Sequence, residues 1–242
     1  MANVVQAIFQ CASGRYVSFS DTSVSDNTTT TLKTGGVGLN QTSNLDFGNA
    51  LVGETVVAGF IMTNAATTGS VAATFSFGYI ENPDGSVSVP VQGGGCYSNQ
   101  LPMLCKPIRV TVGMLLKCQT TTSDATEVAA NVAVVCASGK SAIFQVSAVS
   151  DTETEILDLI TGGSIGQSLA NQRIVKMYAT FGNLYGLNDD GGGNSFFFIE
   201  SPQGQMKGAI MPVNAREGWY ADYTNYGIPI GQNDTLKVTW GS

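Results

Sequence analysis

The sequence predicts an all-β protein made of two tandem antiparallel β-sandwiches, of jelly-roll or immunoglobulin-like type, related by an internal duplication. Three observations carry this expectation. Short runs dense in Val, Ile, Phe and Thr recur between Gly-, Pro- and Asn-rich turns, at the spacing of about 8–12 residues typical of small sandwiches. "CASGR" at 11–15 returns as "CASGK" at 136–140. The composition is 43% hydrophobic but only 12% charged, and the polar remainder is mostly Thr, Ser, Asn, Gln and Gly. A disordered chain would need the opposite balance.

The repeat extends past the pentads. At the same separation of 125 residues, "SVSD" at 23–26 faces "AVSD" at 148–151. Further on, "TGG" at 34–36 faces "TGG" at 161–163, and "FSFGYIENPDG" at 75–85 faces "SFFFIESPQG" at 195–204. "VPV" at 89–91 then faces "MPV" at 211–213, and "RVTVG" at 109–113 faces "KVTWG" at 237–241. The matches run in one order and join unlike residue types, which biased composition alone does not produce. The expected units are residues 1–118 and 131–242, joined by the polar stretch 119–130, "QTTTSDATEVAA".

Each unit reads as strands and turns. "VVQAIFQC" and "NVAVVCAS" open the units, and "ETVVAGFIMTN" and "RIVKMYATF" form apolar strands in their middles. "VAATFSFGYI" and "NSFFFIE" lead into the turns "ENPDG" and "ESPQG", where Pro presets the corner and Gly releases it. "GSVSVPV" and "MKGAIMPV" return as the second arms of these hairpins. "KPIRVTVGMLL" and "DTLKVTWGS" alternate apolar and polar residues and are expected to close the units. The best helix candidates, "TEVAANVAVVCA" and "TETEILDLI", carry β-branched residues and adjoin strand signals, so strand is preferred.

Chemistry-bearing motifs are few. The sequence has no histidine, which removes the commonest general base, nucleophile partner and nitrogen ligand for metals. The one adjacent acidic pair, Asp189-Asp190, stands in "LNDDGGGN" and reads first as a turn. "TGGVG" at 34–38 and "GGGN" at 191–194 lack the following GK[ST] of a phosphate loop. No catalytic residue, metal ligand or cofactor is expected, and the protein is read as no enzyme. The five cysteines, Cys11, Cys96, Cys105, Cys118 and Cys136, are odd in number and form no CxxC. They read as buried thiols, with a Cys96–Cys105 bridge left open.

The net charge is −7, with Lys and Arg scattered singly. Nucleic acids and anionic membranes are therefore unfavoured partners. "MANVVQAIFQ" lacks a basic n-region and no run of about 18 apolar residues occurs, so neither a signal peptide nor a membrane span is expected.

The closing stretch "IPIGQNDTLKVTWGS" at 228–242 places a polar turn before an alternating strand. It resembles the ends of β-sandwich structural proteins from tailed-phage virions, among them capsid cement or decoration proteins and tail-associated fibres. The resemblance implies a virion structural protein made in the host cytoplasm, acting by packing against itself and other virion proteins, as a closed homo-oligomer such as a trimer. The alternative is a glycan-binding module. Its candidate residues are Trp219, Tyr220, Tyr223 and Tyr226 in "GWYADYTNYG", where aromatic faces stand beside Asp222 and Asn225. The same residues would equally serve as interface anchors.

Overall fold

The β-branched and aromatic runs fold as strands, which turns and two short helices connect. The computed structural model describes residues 3–25, 28–35, 41–64, 73–94, 103–123, 129–146, 153–182, 194–210 and 219–241. Its contacts divide the chain into two compact units, Met1–Thr122 and Ser123–Ser242.

The first unit contains β1 (Asn3–Cys11), β2 (Tyr16–Val24), β3 (Thr30–Thr34), α1 (Phe47–Leu51), β4 (Thr55–Asn64), β5 (Ala73–Glu81), β6 (Val87–Gly94), β7 (Met103–Leu104), β8 (Ile108–Arg109) and β9 (Leu115–Ser123). Its strands hydrogen-bond in the order β7-β6-β5-β9-β3-β2-β1-β4-β8. A parallel pairing of β4 with β6, Ile61 opposite Gly93, joins the sheet back on itself. The result is barrel-like, a form that leaves few free edges. Along β1 the side chains of Val5, Ala7, Phe9 and Cys11 are buried, as period-two alternation requires of a half-buried strand. Phe9, Phe19 and Phe47 form an aromatic cluster with ring centroids 5.3–5.9 Å apart.

The second unit contains β10 (Ala129–Cys136), β11 (Ser141–Val146), β12 (Thr154–Glu155), β13 (Leu157–Asp158), α2 (Ile165–Leu169), β14 (Arg173–Gly182), β15 (Asn194–Glu200), β16 (Met206–Ile210), β17 (Trp219–Asp222), β18 (Ile228–Pro229) and β19 (Thr235–Gly241). One sheet runs β13-β11-β10-β14-β17, with β18 also on β14; the other runs β12-β19-β15-β16. The chain passes between sheets at Ile156, which is fully buried. Both sheets feed one core, including Val132 and Val134 of β10, Phe197 and Ile199 of β15, and Leu236 and Val238 of β19. This is a sandwich-like arrangement of antiparallel sheets.

Several hydrogen bonds and register shifts of the first unit have counterparts in the second. The Cys11 amide donates to Arg15 O at 2.8 Å, and the Cys136 amide donates to Lys140 O at 2.8 Å. The β1–β4 ladder shifts register between Gln10 and Cys11, and the β10–β14 ladder between Val135 and Cys136. The turns after Glu81 and Glu200 also match: Asn82 N donates to Ser86 O and Ser201 N to Gln205 O, each at 2.9 Å. Gly48 N bonds Met114 O, and Gly166 N bonds Asp234 O. A Cβ at Gly48 would stand 2.8 Å from Met114 N, and one at Gly166 would stand 2.6 Å from Asp234 N. Glycine lets each short helix approach the turn before the last strand.

Registers correct several sequence expectations. Lys117 lies opposite Thr31, and Lys237 opposite Glu155, so these two lysines correspond in position. Arg109 instead corresponds to Pro229, since each ends the short strand paired to β4 or β14. "RVTVG" and "KVTWG" are therefore not counterparts. "KPIRVTVGMLL" is not one closing strand: β8 ends at Arg109 and β9 begins at Leu115. Of the expected joining stretch 119–130, residues 119–123 continue β9 and 129–130 open β10. Gln119 and Thr120 are buried there, so tertiary packing outweighs the polar, Thr-rich composition.

The "TGG" pair is also out of register. Thr34 pairs Phe19 and Asp158 pairs Phe144, so Thr34 corresponds to Asp158 and not to Thr161. By the β5–β6 and β15–β16 ladders Pro90 corresponds to Ala209; "MPV" at 211–213 lies outside the described residues, as does "AVSD" at 148–151. Cys11 and Cys136 are buried as expected. Cys105 is buried too, and Cys96 lies outside the described residues.

Candidate functional site

The aromatic stretch 218–227 is partly strand. Backbone pairing places β17 against β14, with Lys176 opposite Asp222, Tyr178 opposite Tyr220 and Ala179 opposite Trp219. Alternation along β17 turns Ala221 towards the core, where it packs on the buried cluster. It turns Tyr220 to the other face, where its ring lies on Tyr178 with centroids 4.9 Å apart and planes at 34°. Tyr178 is 3% exposed and Tyr220 44% exposed, so the stacked pair shows one ring to solvent. The side chain of Trp219 lies outside the described residues.

Asp222 ends the strand and organises the turn. Its Oδ1 accepts from the Thr224 amide at 2.8 Å and its Oδ2 from the Tyr220 hydroxyl at 2.5 Å. Hydrogen bonds from Thr224 and Tyr220, with Lys176 adding its charge, hold the carboxyl down at about 2. It is thus a fixed anion at neutral pH, satisfied by its neighbours, rather than a proton-transfer group.

The structure separates the four aromatic candidates. Tyr223 is an anchor: its amide donates to Val175 O at 2.7 Å, its hydroxyl donates to Ala209 O, and its ring joins the core. Burial, with Tyr226 beside it, pushes its phenol up. Tyr226 is 66% exposed and meets Tyr223 edge-on at 5.9 Å. Arg173 Nη1 donates to the Tyr226 carbonyl and to Gly227 O, pinning the turn. Tyr220 and Tyr226 are therefore the candidate side chains open to a partner. Asp189-Asp190 lies outside the described residues. Among the described residues no group of three or more His, Cys, Asp or Glu stands close enough to hold a metal ion.

Two surface features in the first unit escape a reading by motif. On the outer face of β4, Val57, Phe60 and Met62 are exposed, Phe60 by 38%, and Phe60 is paired with Ile8 of β1. The position matching Phe60 is Tyr178, paired with Ala133, and it is covered. The second feature is a cleft of about 400 Å³ beside Arg15 and Tyr16. The usable signal was positional: once "CASGR" and "CASGK" are aligned, Arg15-Tyr16 stands where the second unit has Lys140-Ser141.

Compared with protein-family models, with curated proteins and with solved structures, the chain has no match in any of the three.

Proposed function

We propose that this chain is a non-enzymatic structural protein of a viral particle, of the capsid cement, decoration or tail-associated kind. In this proposal the two units are duplicated β-sandwich domains whose work is packing against neighbours and against further copies of the chain. The observation that carries it is the contrast between matching positions. Phe60, with Met62 and Val57 near it, is open on one scaffold, whereas Tyr178 is covered on the other. An exposed apolar sheet face on a weakly charged protein can be buried in an interface at little desolvation cost. Shared turns and bulges with different outer faces are what duplication followed by specialisation for different neighbours would leave. Tandem domains also raise the effective concentration of the second contact once the first forms.

The test is light scattering after size-exclusion chromatography, followed by mass spectrometry of purified particles from a producing host. The expected result is a closed oligomer such as a trimer, and the chain present in many copies per particle. Phe60→Asp should reduce the oligomer to monomers without changing the melting temperature. A monomer at every concentration, together with particles lacking the chain, would overturn the proposal.

A second reading, glycan binding through residues 218–227, is favoured by the exposed rings of Tyr220 and Tyr226 beside the Asp222 anion. Tyr223 contributes only by holding the turn. A glycan array comparing the natural protein with Tyr226→Ala tests it, and equal signals would count against it.

A further inference from the structure

We infer that the cleft between the β1–β2 turn and residues 41–45 of the first unit is a binding site for a carboxylate-bearing saccharide of the uronate or sialate class. The inference is independent of the packing role and of the 218–227 turn. The volume of about 400 Å³ falls within the range of small-ligand sites, about 300–1,000 Å³.

The two units make the corresponding connection with chain segments of different length. In the second unit only residues 159–161 separate Asp158 from Gly162, whose amide donates back to Asp158 O. Asp158 Oδ1 takes the amides of Ile160 and Thr161, Thr161 Oγ1 meets Ser168 Oγ at 3.1 Å, and Lys140 Nζ donates to Ser168 O. That place is tied shut. In the first unit residues 35–43 separate Thr34 from Asn44, whose amide donates back to Thr34 O. Thr34 Oγ1 instead donates to Thr42 O at 2.7 Å and accepts from Leu45 N at 2.8 Å. Thr42 and Leu45 line the cleft together with Tyr16.

The lining specifies the ligand. Arg15 Nη1 donates to Ala50 O at 3.1 Å, which fixes the guanidinium at the cleft. Arginine carries five donors, and among the described residues Arg15 has no ion pair and no other side-chain hydrogen bond. A carboxylate, like a phosphate, pairs with a guanidinium fork through two parallel hydrogen bonds. Tyr16 is 61% exposed and offers a face for the C–H side of a sugar ring, where the second unit has only the small, buried Ser141. Hydroxyl and amide groups of Thr34, Thr42 and Gln41 complete the lining.

Two facts exclude an extended acidic peptide and a nucleic acid. An extended acidic peptide would need free backbone on β2, but the Gln41 side chain already occupies that edge. Ser18 N donates to Gln41 Oε1 at 3.2 Å, and Gln41 Nε2 donates to Ser18 O at 2.7 Å. A nucleic acid would need several cations along its phosphates, whereas this chain carries a net charge of −7 and Arg15 is the only basic residue among the described residues lining the cleft.

The experiment is a titration of the full chain, followed by amide chemical shifts at low salt, with D-galacturonic acid and N-acetylneuraminic acid. D-galactose and acetate are the controls. The expected result is saturable binding of one of the two acids with Kd of about 1–10 mM, and which acid binds identifies the class. Galactose and acetate should each bind at least about tenfold more weakly, the loss expected from removing one good polar or stacking contact. Arg15→Lys keeps the backbone contact that Lys140 makes in the second unit, so it should fold normally yet bind about tenfold more weakly; Tyr16→Ser should do the same. Met206→Ala, at an exposed position outside both candidate sites, should bind as the natural protein does. No saturation by either acid, equal binding of acetate or galactose, or unchanged binding by Arg15→Lys and Tyr16→Ser would each overturn the inference.

Discussion

Phe9 lies directly across from Gly59 on the adjacent strand, and its ring fills the space that a side chain at 59 would need. A Cβ built on Gly59 would stand 2.1 Å from Phe9 Cδ1. The second unit fills the same cross-strand position with Val134 opposite Met177, both fully buried. Volume moves from one strand to the other while the pair continues to fill the core. Gly59→Ala should therefore destabilise by about 2–3 kcal/mol through overpacking, and Phe9→Val by about 2 kcal/mol through the cavity it leaves. Phe9→Val combined with Gly59→Met should cost clearly less than the sum of the singles in urea melts. Simple additivity would show that the two positions do not share one space.

A second exchange separates Met114 from Asp234. In the first unit the Thr111 amide points to Met114 Sδ at 3.5 Å; in the second the Gly231 amide donates to Asp234 Oδ2 at 2.7 Å, and Lys207 pairs with the same carboxylate. Asp234 is 2% exposed, so its carboxylate is shielded from water and held by these two partners. By the β5–β6 and β15–β16 registers, Lys207 corresponds to Ser88. Lys207→Ser alone should cost about 3 kcal/mol by leaving a buried carboxylate without its cation. Adding Asp234→Met, the first unit's solution, should recover at least half of that loss in the same melts.

Alkali should weaken the first unit in a defined window. Burial, with Asp21 adding to it, pushes the Cys118 thiol up to about 12, and burial with Glu81 pushes the Tyr79 phenol up to about 12. Both folded values are raised above the unfolded ones, near 8.5 and 10. Their contribution is thus complete below pH of about 8.5 and is lost as pH rises towards 12. Chemical denaturation followed from pH 7 to 11 should show stability falling above pH of about 9, with a shallower fall in Cys118→Ala. Cys118 should also resist thiol reagents at pH 8 until the protein unfolds.

The tyrosines of the 218–227 turn should divide by role. Tyr223→Phe leaves the Ala209 carbonyl without its hydroxyl donor and should cost about 1–2 kcal/mol. Tyr220→Ala loses a stacked ring worth about 1 kcal/mol. Tyr226→Ala should change stability by less than about 0.5 kcal/mol. Thermal melts should rank the three in that order, and assembly or glycan assays should show their effect at Tyr220 and Tyr226. A stability loss at Tyr226 equal to that at Tyr223 would mean that its ring is an anchor as well.

Much of the fold was legible because its signals are local. The two Ile-Glu-x-Pro-x-Gly turns preset their own geometry, and "NSFFFIE" coincides with β15, Asn194–Glu200. The helices α1 and α2 were not anticipated, since five residues are too few to show a helical period. A local sign of α2 did exist: Ser164 and Gln167 form a reciprocal capping box, the Ser-x-x-Gln pattern of a helix start. The aromatic richness of the 218–227 turn was equally visible. That Tyr223 is an anchor and Tyr226 a surface ring was not, because alternation says which residues share a face and not which face is covered.

The sequence by itself determined strands, turns, the low charge and the recurrence of one turn at Cys11 and Cys136, all consequences of side-chain shape and backbone preference within a few residues. Only the tertiary structure decided which residues of the two halves correspond, since register is set by partners far along the chain. It also decided where the segment before the last strands pairs. In the first unit that segment, β7, adds to β6, while β4 is occupied by β6 and β8. In the second unit β14, which corresponds to β4, takes β17 instead, so the aromatic stretch pairs with a different strand from its counterpart β7. The physical reason is that a strand pairs with whatever edge packing leaves free, and an edge belongs to the assembled sheet rather than to any one segment.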